Sequence, residues 1–205
     1  FAGDWTDWKG GLFTPEQWPF YQDVGEAWSV PEGVYRKLFL KRDCTILTCA
    51  DWATSDKKSA DFTCIGTFAM TEDGRLLVLD VVNKQLRIED CVPELARVCR
   101  RWRPSLVCVE TGGFQTSLAL QCRSFREIPE VRRVTPEGKS KVQRAVPAIN
   151  LSQGGRIYLP DEVGGVALDW TEEVIAQLAS FTGVDDIHDD IVDVFAYAAM
   201  QAQWL

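Results

Sequence analysis

Apolar positions along this 205-residue chain gather, from residue 43 onward, into short runs separated by amphipathic stretches. The runs have the length and the β-branched content that buried strands require. The stretches between them, such as IEDCVPELARVCRRW, repeat their apolar residues at helical spacing. The predicted strands are CTILTCADWA, DFTCIGTFAM, LLVLDVVN, SLVCVE, EVRRVT and GRIYLP.

The order of these elements predicts an α/β domain. Three strands follow one another with only short turns between them, and strands then alternate with helices. This order favours a mixed sheet of five to six strands, with a three-strand antiparallel meander plus parallel strands, flanked by helices. Residues 1–42 are rich in Trp, Pro and Gly and show no period, so we predict an irregular N-terminal arm before a domain at 43–205.

Composition narrows the functional classes. A hydrophobic fraction of 46% and a charged fraction of 25% are typical of a globular protein. No apolar run approaches the roughly 18 residues of a membrane span, so no membrane association is expected. Seven cysteines without CxxC spacing and a single histidine, His188, argue against a Cys/His zinc site and indicate reduced thiols. Neither GxGxxG nor GxxxxGK[ST] occurs, so no nucleotide-binding loop is predicted.

Acidic residues stand at the ends of three predicted elements. Asp51 ends the first strand, Glu110 ends the fourth, and IHDDIVDVFAYAAM carries Asp189, Asp190 and Asp193 into the last helix. If strands one and four are neighbours, their ends bring Asp51 and Glu110 together, and a helix across the sheet can deliver Asp190. Oxygen ligands without His or Cys favour Mg²⁺ or Mn²⁺. Two such ions, about 3.5–4 Å apart, would activate a water and stabilise the leaving oxygen of a phosphodiester.

Each acid also has an ordinary structural explanation. Asp51 could cap a turn, Glu110 could be a solvated loop residue, and Asp189 could be the N-cap of the last helix. Each explanation is at least as good as catalysis for one residue alone. Taken together, in this order of elements, the acids favour a metal site.

Three motifs resemble a known family. CADWATSDKKSADFTCIG, LVCVETGGFQ and IHDDIVDVFAYA resemble the acidic motifs of the ribonuclease H-like nuclease domain of large terminase subunits from tailed bacteriophages. GKSKVQRAVPAINLSQGGRIYLP is similar to the family segment in which a Lys-x-x-Arg pattern precedes a Gly and a short strand. The resemblance covers residues 43–200 and implies an endonuclease that cuts concatemeric double-stranded DNA during packaging into the capsid, in the cytoplasm of the host cell.

The resemblance also implies roles for residues and partners. Asp51, Glu110 and Asp190 match the catalytic acids. The register of the third motif is ambiguous, so Asp193 and then Asp189 are the alternatives to Asp190 as metal ligands. Asp61 matches an acid at the start of the family's second strand that either supports the site or is structural. Implied partners are the terminase ATPase domain, the small terminase subunit and the capsid portal. Because no Walker motif occurs, we expect the chain to lack the ATPase motor and residues 1–42 to be a remnant of its linker.

A basic segment supplies candidate DNA contacts. Between residues 123 and 144, seven basic residues stand against three acidic ones, although the whole chain carries a net charge of −8. The candidates for phosphate contacts are Lys139, Lys141, Arg144, Arg132 and Arg133.

Three alternatives remain open. A RuvC-like junction resolvase or transposase-type nuclease keeps the fold, and a preference for branched DNA would indicate it. A ribonuclease H-like ATPase needs glycine-rich phosphate loops near the first strand, and ADWATSDKKSAD has no glycine. A non-catalytic module that docks on DNA or the portal would tolerate replacement of the acids.

Overall fold

A mixed sheet forms the centre of the molecule. The computed structural model describes residues 12–13, 18–52, 62–111, 115–135, 138–161, 168–184, 186 and 189–202. The strands in these ranges are β1 (Phe20–Asp23), β2 (Ala27–Glu32), β3 (Tyr35–Leu40), β4 (Thr45–Asp51), β5 (Thr63–Met70), β6 (Leu76–Lys84), β7 (Leu106–Glu110), β8 (Val131–Val134) and β9 (Ile157–Pro160). The α-helices are α1 (Ile88–Trp102), α2 (Gln115–Gln121), α3 (Lys141–Gln153), α4 (Asp169–Ser180) and α5 (Asp190–Ala202).

The strand order is β3-β2-β1-β9-β6-β5-β4-β7-β8. β4, β5 and β6 form the predicted antiparallel meander, and β7 and β8 continue the sheet in parallel beside β4. The predicted α/β class, the mixed sheet and the adjacency of the first and fourth core strands are therefore confirmed. The sheet has nine strands in the described ranges, against the five or six predicted, because β1, β2 and β3 extend it through β9.

The prediction of an irregular segment before residue 43 is wrong for residues 20–40. Two hairpins form there, and each turn contains a glycine in the left-handed region, Gly25 at φ 85° and Gly33 at φ 61°. Such turns favour glycine because it has no Cβ to clash. The outer face of β3 exposes Leu38 and Leu40, so the polar alternation that signals a strand is missing from the sequence. The domain boundary at residue 43 stays a prediction.

Helices cover both faces of the sheet. α1 and α2 pack on one face, against Ala50 of β4 and Val109 of β7. On the other face α5 lies on β4 and β5, and α3 and α4 pack against α5. α5 is therefore enclosed between the sheet and α3, which explains why its sequence is apolar nearly all round. The segment after residue 140 forms α3, which begins with a capping box made by Ser140 and Gln143.

Close packing fixes the position of α5 over the sheet. The rings of Phe68 on β5 and Phe195 on α5 meet edge to face, with centroids 5.1 Å apart. A Cβ on Gly66 would lie 2.8 Å from the Phe68 ring and 3.1 Å from Val194 of α5. A side chain at position 66 would therefore force these neighbours apart and shift the helix that carries Asp190 and Asp193.

All seven cysteines are free thiols, and six of them are buried. Within the described ranges, no helix combines the length and the apolar character needed to cross a bilayer.

Candidate metal centre

Asp51 and Glu110 lie side by side at one edge of the sheet. β4 and β7 are parallel, with Cys49 opposite Cys108 and Ala50 opposite Val109, so the next residue of each strand is at the same level. Neighbouring strands are about 4.8 Å apart. Cys49 and Cys108 pack against α5, and side chains alternate along a strand, so both acids also face α5.

Hydrogen bonds hold the backbone around these two acids. Trp52 directly follows Asp51, and its carbonyl accepts a hydrogen bond of 3.2 Å from the side-chain amide of Gln115 at the start of α2. Thr111 directly follows Glu110, and its N–H donates a hydrogen bond of 2.9 Å to the carbonyl of Val134. Both strand ends are therefore fixed in position although the chain leaves the sheet there.

The first turn of α5 brings three further carboxylates to this edge. Asp190 begins the helix, Asp189 precedes it, and Asp193 lies one turn later, buried to 3% exposure. The N–H of Ile191 donates to the side-chain oxygen of Gln177 on α4 at 3.3 Å. The side chain of Gln177, on another helix, therefore accepts this hydrogen bond, and the Asp189 carboxylate points away from the N–H.

Electrostatic coupling shows that the acids of β4, β7 and α5 share one site. Burial raises the pKa of Asp51 well above its usual range, and the neighbouring charges of Glu110, Asp193 and Asp190 raise it further. Burial and then Asp193 raise the pKa of Glu110. Burial raises the pKa of Asp190 to about 6, against the lowering effect of Lys141. Four carboxylates therefore repel one another in a partly desolvated space.

Two cations from α3 partly neutralise this cluster. The Lys141 ammonium lies 2.7 Å from Asp189 Oδ1 and 2.6 Å from Asp193 Oδ2, and Arg144 Nη2 lies 2.8 Å from Asp193 Oδ1. Burial lowers the pKa of Lys141, but Asp193 and Asp189 together outweigh it, so the net pKa is raised. Asp193 is thus fully engaged by cations, whereas the charges of Asp51 and Glu110 are not matched by a direct ion pair among the described residues.

Tyr197 is a site residue that sequence reasoning missed. Its hydroxyl donates to Glu110 Oε2, and its ring is fully buried in α5. In the sequence Tyr197 is one more apolar position of a buried helix, so only its hydroxyl could have signalled a role. The contact joins α5 to the end of β7 and fixes the direction of the Glu110 carboxylate.

Asn83 and Glu173 form a polar contact near the acids that the sequence did not indicate. Asn83 on β6 is opposite Cys64 on β5, which is opposite Asp51, so the three residues form a row across the sheet. The Asn83 amide donates to Glu173 Oε1 of α4 at 2.7 Å. Glu173, with Asp51, Asp190 and Asp193, also contributes to the raised pKa of the Cys64 thiol, although burial is the largest cause.

The donor set fits a hard divalent cation in chemistry and charge. It consists of carboxylate oxygens with surplus negative charge, and the Lys141 ammonium already bridges Asp189 and Asp193 as a cation would. Within the described ranges, no three Asp, Glu, His or Cys side chains yet stand in a ligating arrangement.

The other candidate residues occupy several different places. Asp61 lies outside the described residues. Lys139 is exposed near the start of α3, and its carbonyl accepts a hydrogen bond from Arg144 at 3.3 Å. Arg132 donates to Gln201 near the far end of α5, and Arg133 lines a cavity on the α2 side of the sheet. The predicted basic residues therefore do not form one surface, because Arg132 and Arg133 alternate across β8 and Lys141 and Arg144 face the acids. As phosphate contacts, the five stay a prediction.

Comparison with known proteins gives one family and several similar structures. The profile of the family described as "Terminase RNaseH-like domain" matches residues 49–202. No curated protein has a significantly similar sequence.

Three solved structures illustrate the similarity of fold. The magnesium-bound large terminase nuclease of thermophilic phage G20c has a TM-score of 0.63 and 16% identity over 94% of this chain and 98% of that one. The human cytomegalovirus terminase nuclease domain has a TM-score of 0.55 and 16% identity over 78% and 82%. The nuclease domain of the large terminase subunit gp2 of bacterial virus Sf6 has a TM-score of 0.52 and 8% identity over 76% and 87%. The G20c nuclease also has structures with bound zinc and cobalt.

Proposed function

The chain belongs to the terminase ribonuclease H-like domain family, and on this premise we propose that it is the metal-dependent DNA endonuclease domain of a viral packaging terminase. The proposed reaction is the cutting of concatemeric double-stranded DNA by two-metal phosphodiester hydrolysis. The observation that carries the proposal is the convergence of Asp51, Glu110, Asp190 and Asp193 from three elements into one buried, mutually repelling cluster.

Asp51, Glu110 and Asp190 are the proposed catalytic metal ligands. Asp193 is proposed beside Asp190, because it raises the pKa of both Asp51 and Glu110 and is the most buried acid of α5. Asp189, 25% exposed at its side chain, is proposed as an outer ligand. The magnesium-, zinc- and cobalt-bound G20c nuclease supports a divalent ion, and the all-oxygen donor set favours Mg²⁺ or Mn²⁺.

Bound divalent ions supply an activated water and neutralise charge on the leaving oxygen. The residues of this chain hold the ligands in place and set the charge balance. Tyr197 keeps the Glu110 carboxylate directed by its hydrogen bond. Lys141 and Arg144 hold Asp193 while no metal is bound, and we propose that Lys141 leaves Asp189 and Asp193 when metal enters.

The expected setting follows from the family. We propose that the domain acts on double-stranded DNA in the host cell cytoplasm, together with the terminase ATPase domain, the small terminase subunit and the capsid portal. The direct test is conversion of supercoiled plasmid to nicked and linear forms by the purified chain with Mn²⁺, and its loss in EDTA. A four-way junction cut much faster than linear duplex would indicate a resolvase instead.

Metal should stabilise the folded protein, because it relieves the repulsion between the clustered carboxylates. At a Mn²⁺ concentration of ten times Kd the expected gain is about 1.4 kcal/mol. For a chain of this size, that gain corresponds to a rise of roughly 3–6 °C in melting temperature. The measurement is a thermal melt with and without Mn²⁺, with K⁺ at matched ionic strength as the control. An unmoved melting temperature at saturating Mn²⁺ would contradict the metal site.

Tyr197→Phe should weaken metal binding while the fold is kept. Partners that orient a ligand typically contribute about 10–100-fold to metal affinity, and this substitution removes only the hydroxyl that holds Glu110. Mn²⁺ affinity measured by calorimetry is the readout. Tyr158→Phe on β9, where the hydroxyl contacts Arg75, is the matched control and should bind Mn²⁺ like the wild type. Equal affinities in the two variants would remove the assigned role of Tyr197.

A further inference from the structure

Five arginines line two adjoining cavities beside the β8 edge of the sheet. A cavity of about 390 Å³ is lined by Arg100, Arg103 and Arg126, and one of about 310 Å³ is lined by Arg123 and Arg133. Pro129 belongs to the walls of both cavities, so the two are neighbours. These five residues are called the arginine surface below.

The arginine surface is strongly basic in an acidic protein. The chain carries a net charge of −8, yet the two cavities contain five arginines and only two acids, Glu127 and Glu130. Glu127 pairs with Arg100 at 3.0 Å and lies 3.9 Å from Arg126. The side chain of Arg126 is 94% exposed and that of Arg100 is 67% exposed. Most of the positive charge therefore faces solvent.

The basic residues of this region are arginines without exception. Between residues 85 and 138 every basic residue is an arginine, although the chain contains eight lysines elsewhere. The planar guanidinium matches phosphate in a two-pronged geometry and is less strongly hydrated than an ammonium. A surface that served only solubility would not require this preference.

Arg103 occupies a position where its backbone favours glycine. It ends α1 at φ 48°, ψ 55°, and its N–H donates to the Cys99 carbonyl at 2.8 Å. Of the described residues other than glycine, Arg103 alone has a positive φ. Glycine is the usual residue at such a helix end. A strained arginine among four other arginines indicates that its side chain has a use that outweighs the backbone cost.

The arginine surface lies along β7 and β8, on the face of the sheet opposite the carboxylate site. Arg133 is opposite Val109, the residue before Glu110, and its side chain faces the other side of the sheet. Leu106, at the far end of β7, is four residues or about 13 Å from Glu110, and Arg103 precedes it closely in the chain. The surface therefore runs beside β7, the strand that ends in Glu110.

We propose that the arginine surface binds the phosphate backbone of duplex DNA next to the segment that is cut. This proposal rests on the proposed endonuclease function and adds a second contact, distinct from the carboxylate site and from Lys141 and Arg144. It anchors the duplex without reading its sequence, because guanidinium–phosphate contacts carry no base information. Largely exposed guanidinium charge, as on Arg100 and Arg126, suits the phosphate backbone of a duplex.

The test compares duplex binding by matched variants without divalent ions. Two variants are compared, and each loses three positive charges. The test variant is Arg103→Gly/Arg123→Gln/Arg126→Gln. The control, Arg36→Gln/Arg42→Gln/Arg156→Gln, loses its charges in β3, in the turn after β3 and just before β9. Binding of a labelled 30-base-pair duplex is followed by fluorescence anisotropy in EDTA across a salt series. Each lost phosphate contact lowers the slope of log Kd against log salt by about 0.9.

The arginine-surface variant should bind more weakly than the control at low salt, with a slope lower by about 2.7 for three contacts. Between 50 and 200 mM salt the wild type should then lose about 40-fold more affinity than the variant. The melting temperature of the arginine-surface variant should equal or exceed that of the wild type, because Arg103→Gly removes an arginine whose backbone is in the left-handed region. If the variant binds duplex as tightly as the control does, the proposal is overturned. The same result is expected if the surface binds an acidic protein.

Plasmid nicking with Mn²⁺ separates this inference from the proposed function. If the wild type nicks plasmid and all three proteins bind duplex equally well, the arginine-surface proposal is overturned and the proposed nuclease function is kept. A wild type that neither nicks plasmid nor binds duplex overturns both.

Discussion

Asp51→Asn is expected to lose at least about 10³-fold of Mn²⁺-dependent plasmid nicking, which corresponds to roughly 4 kcal/mol of transition-state stabilisation. The amide replaces a charged ligand at the centre of the cluster, where Asp51 couples to Glu110, Asp193 and Asp190. Glu110→Gln should behave in the same way. Initial rates of supercoil loss at saturating Mn²⁺ give the measurement.

The same substitution should raise the melting temperature of the metal-free protein. The pKa of Asp51 is higher in the folded protein than the value of about 3.9 in an unfolded chain. The folded state therefore binds this proton more tightly, and stability falls as the pH rises above the unfolded value. At pH 7 the ionisable Asp51 therefore lowers the stability of the fold, and an Asn, which does not ionise, removes that cost. Loss of activity with a gain in stability separates a ligand from a structural acid.

Asp43→Asn is the matched control for Asp51→Asn. Asp43 precedes the other end of β4, and its side chain is 61% exposed. It should keep full activity and an unchanged melting temperature. Full nicking activity in Asp51→Asn or in Glu110→Gln would remove both residues from the proposed catalytic set.

Lys141→Met with Arg144→Met is expected to destabilise the metal-free protein by about 3–5 kcal/mol, because it leaves buried carboxylates without their counter-charges. Asp193 is 3% exposed and depends on both cations. For a chain of this length the loss corresponds to a fall of roughly 10 °C in melting temperature. Methionine keeps the length and the apolar stem of each side chain, so the change is mainly one of charge.

Saturating Mn²⁺ should restore much of this loss, because the metal takes the place of the missing cations. The Mn²⁺-induced rise in melting temperature should therefore be larger in the double variant than in the wild type. Arg97→Met with Arg100→Met is the control, since both arginines form exposed ion pairs, which contribute little to stability. A double variant that melts like this control would show that the α3 cations do not hold the acids.

The core of the fold and the identity of the acids were accessible from sequence. Apolar runs and helical spacing are local properties, so β4 to β9 and the helices after residue 88 could be predicted. Asp51 and Glu110 were recognisable because a carboxylate that ends a buried strand contradicts the apolar pattern around it. The expected adjacency of their strands followed from the order of elements, and the structure confirms it.

Residues 20–40 were not predictable in the same way. Their strands are short and expose Leu38 and Leu40 on one face, so the alternation of apolar and polar residues is weak. The hairpins pair locally, but they join the main sheet only through β1 and β9, and β9 lies more than 100 residues later in the chain.

The sequence by itself determined the elements from β4 onward and the residue types at their ends, because both depend on near neighbours in the chain. Only the tertiary structure decided that Lys141 and Arg144 face Asp189 and Asp193, that Tyr197 holds Glu110, and that arginines from α1 to β8 share one surface. The physical reason is that these contacts join side chains far apart in sequence, so their partners depend on how helices pack on the sheet. Arg132 and Arg133 face opposite sides of β8 for a local reason, because neighbouring residues of a strand alternate between its two faces.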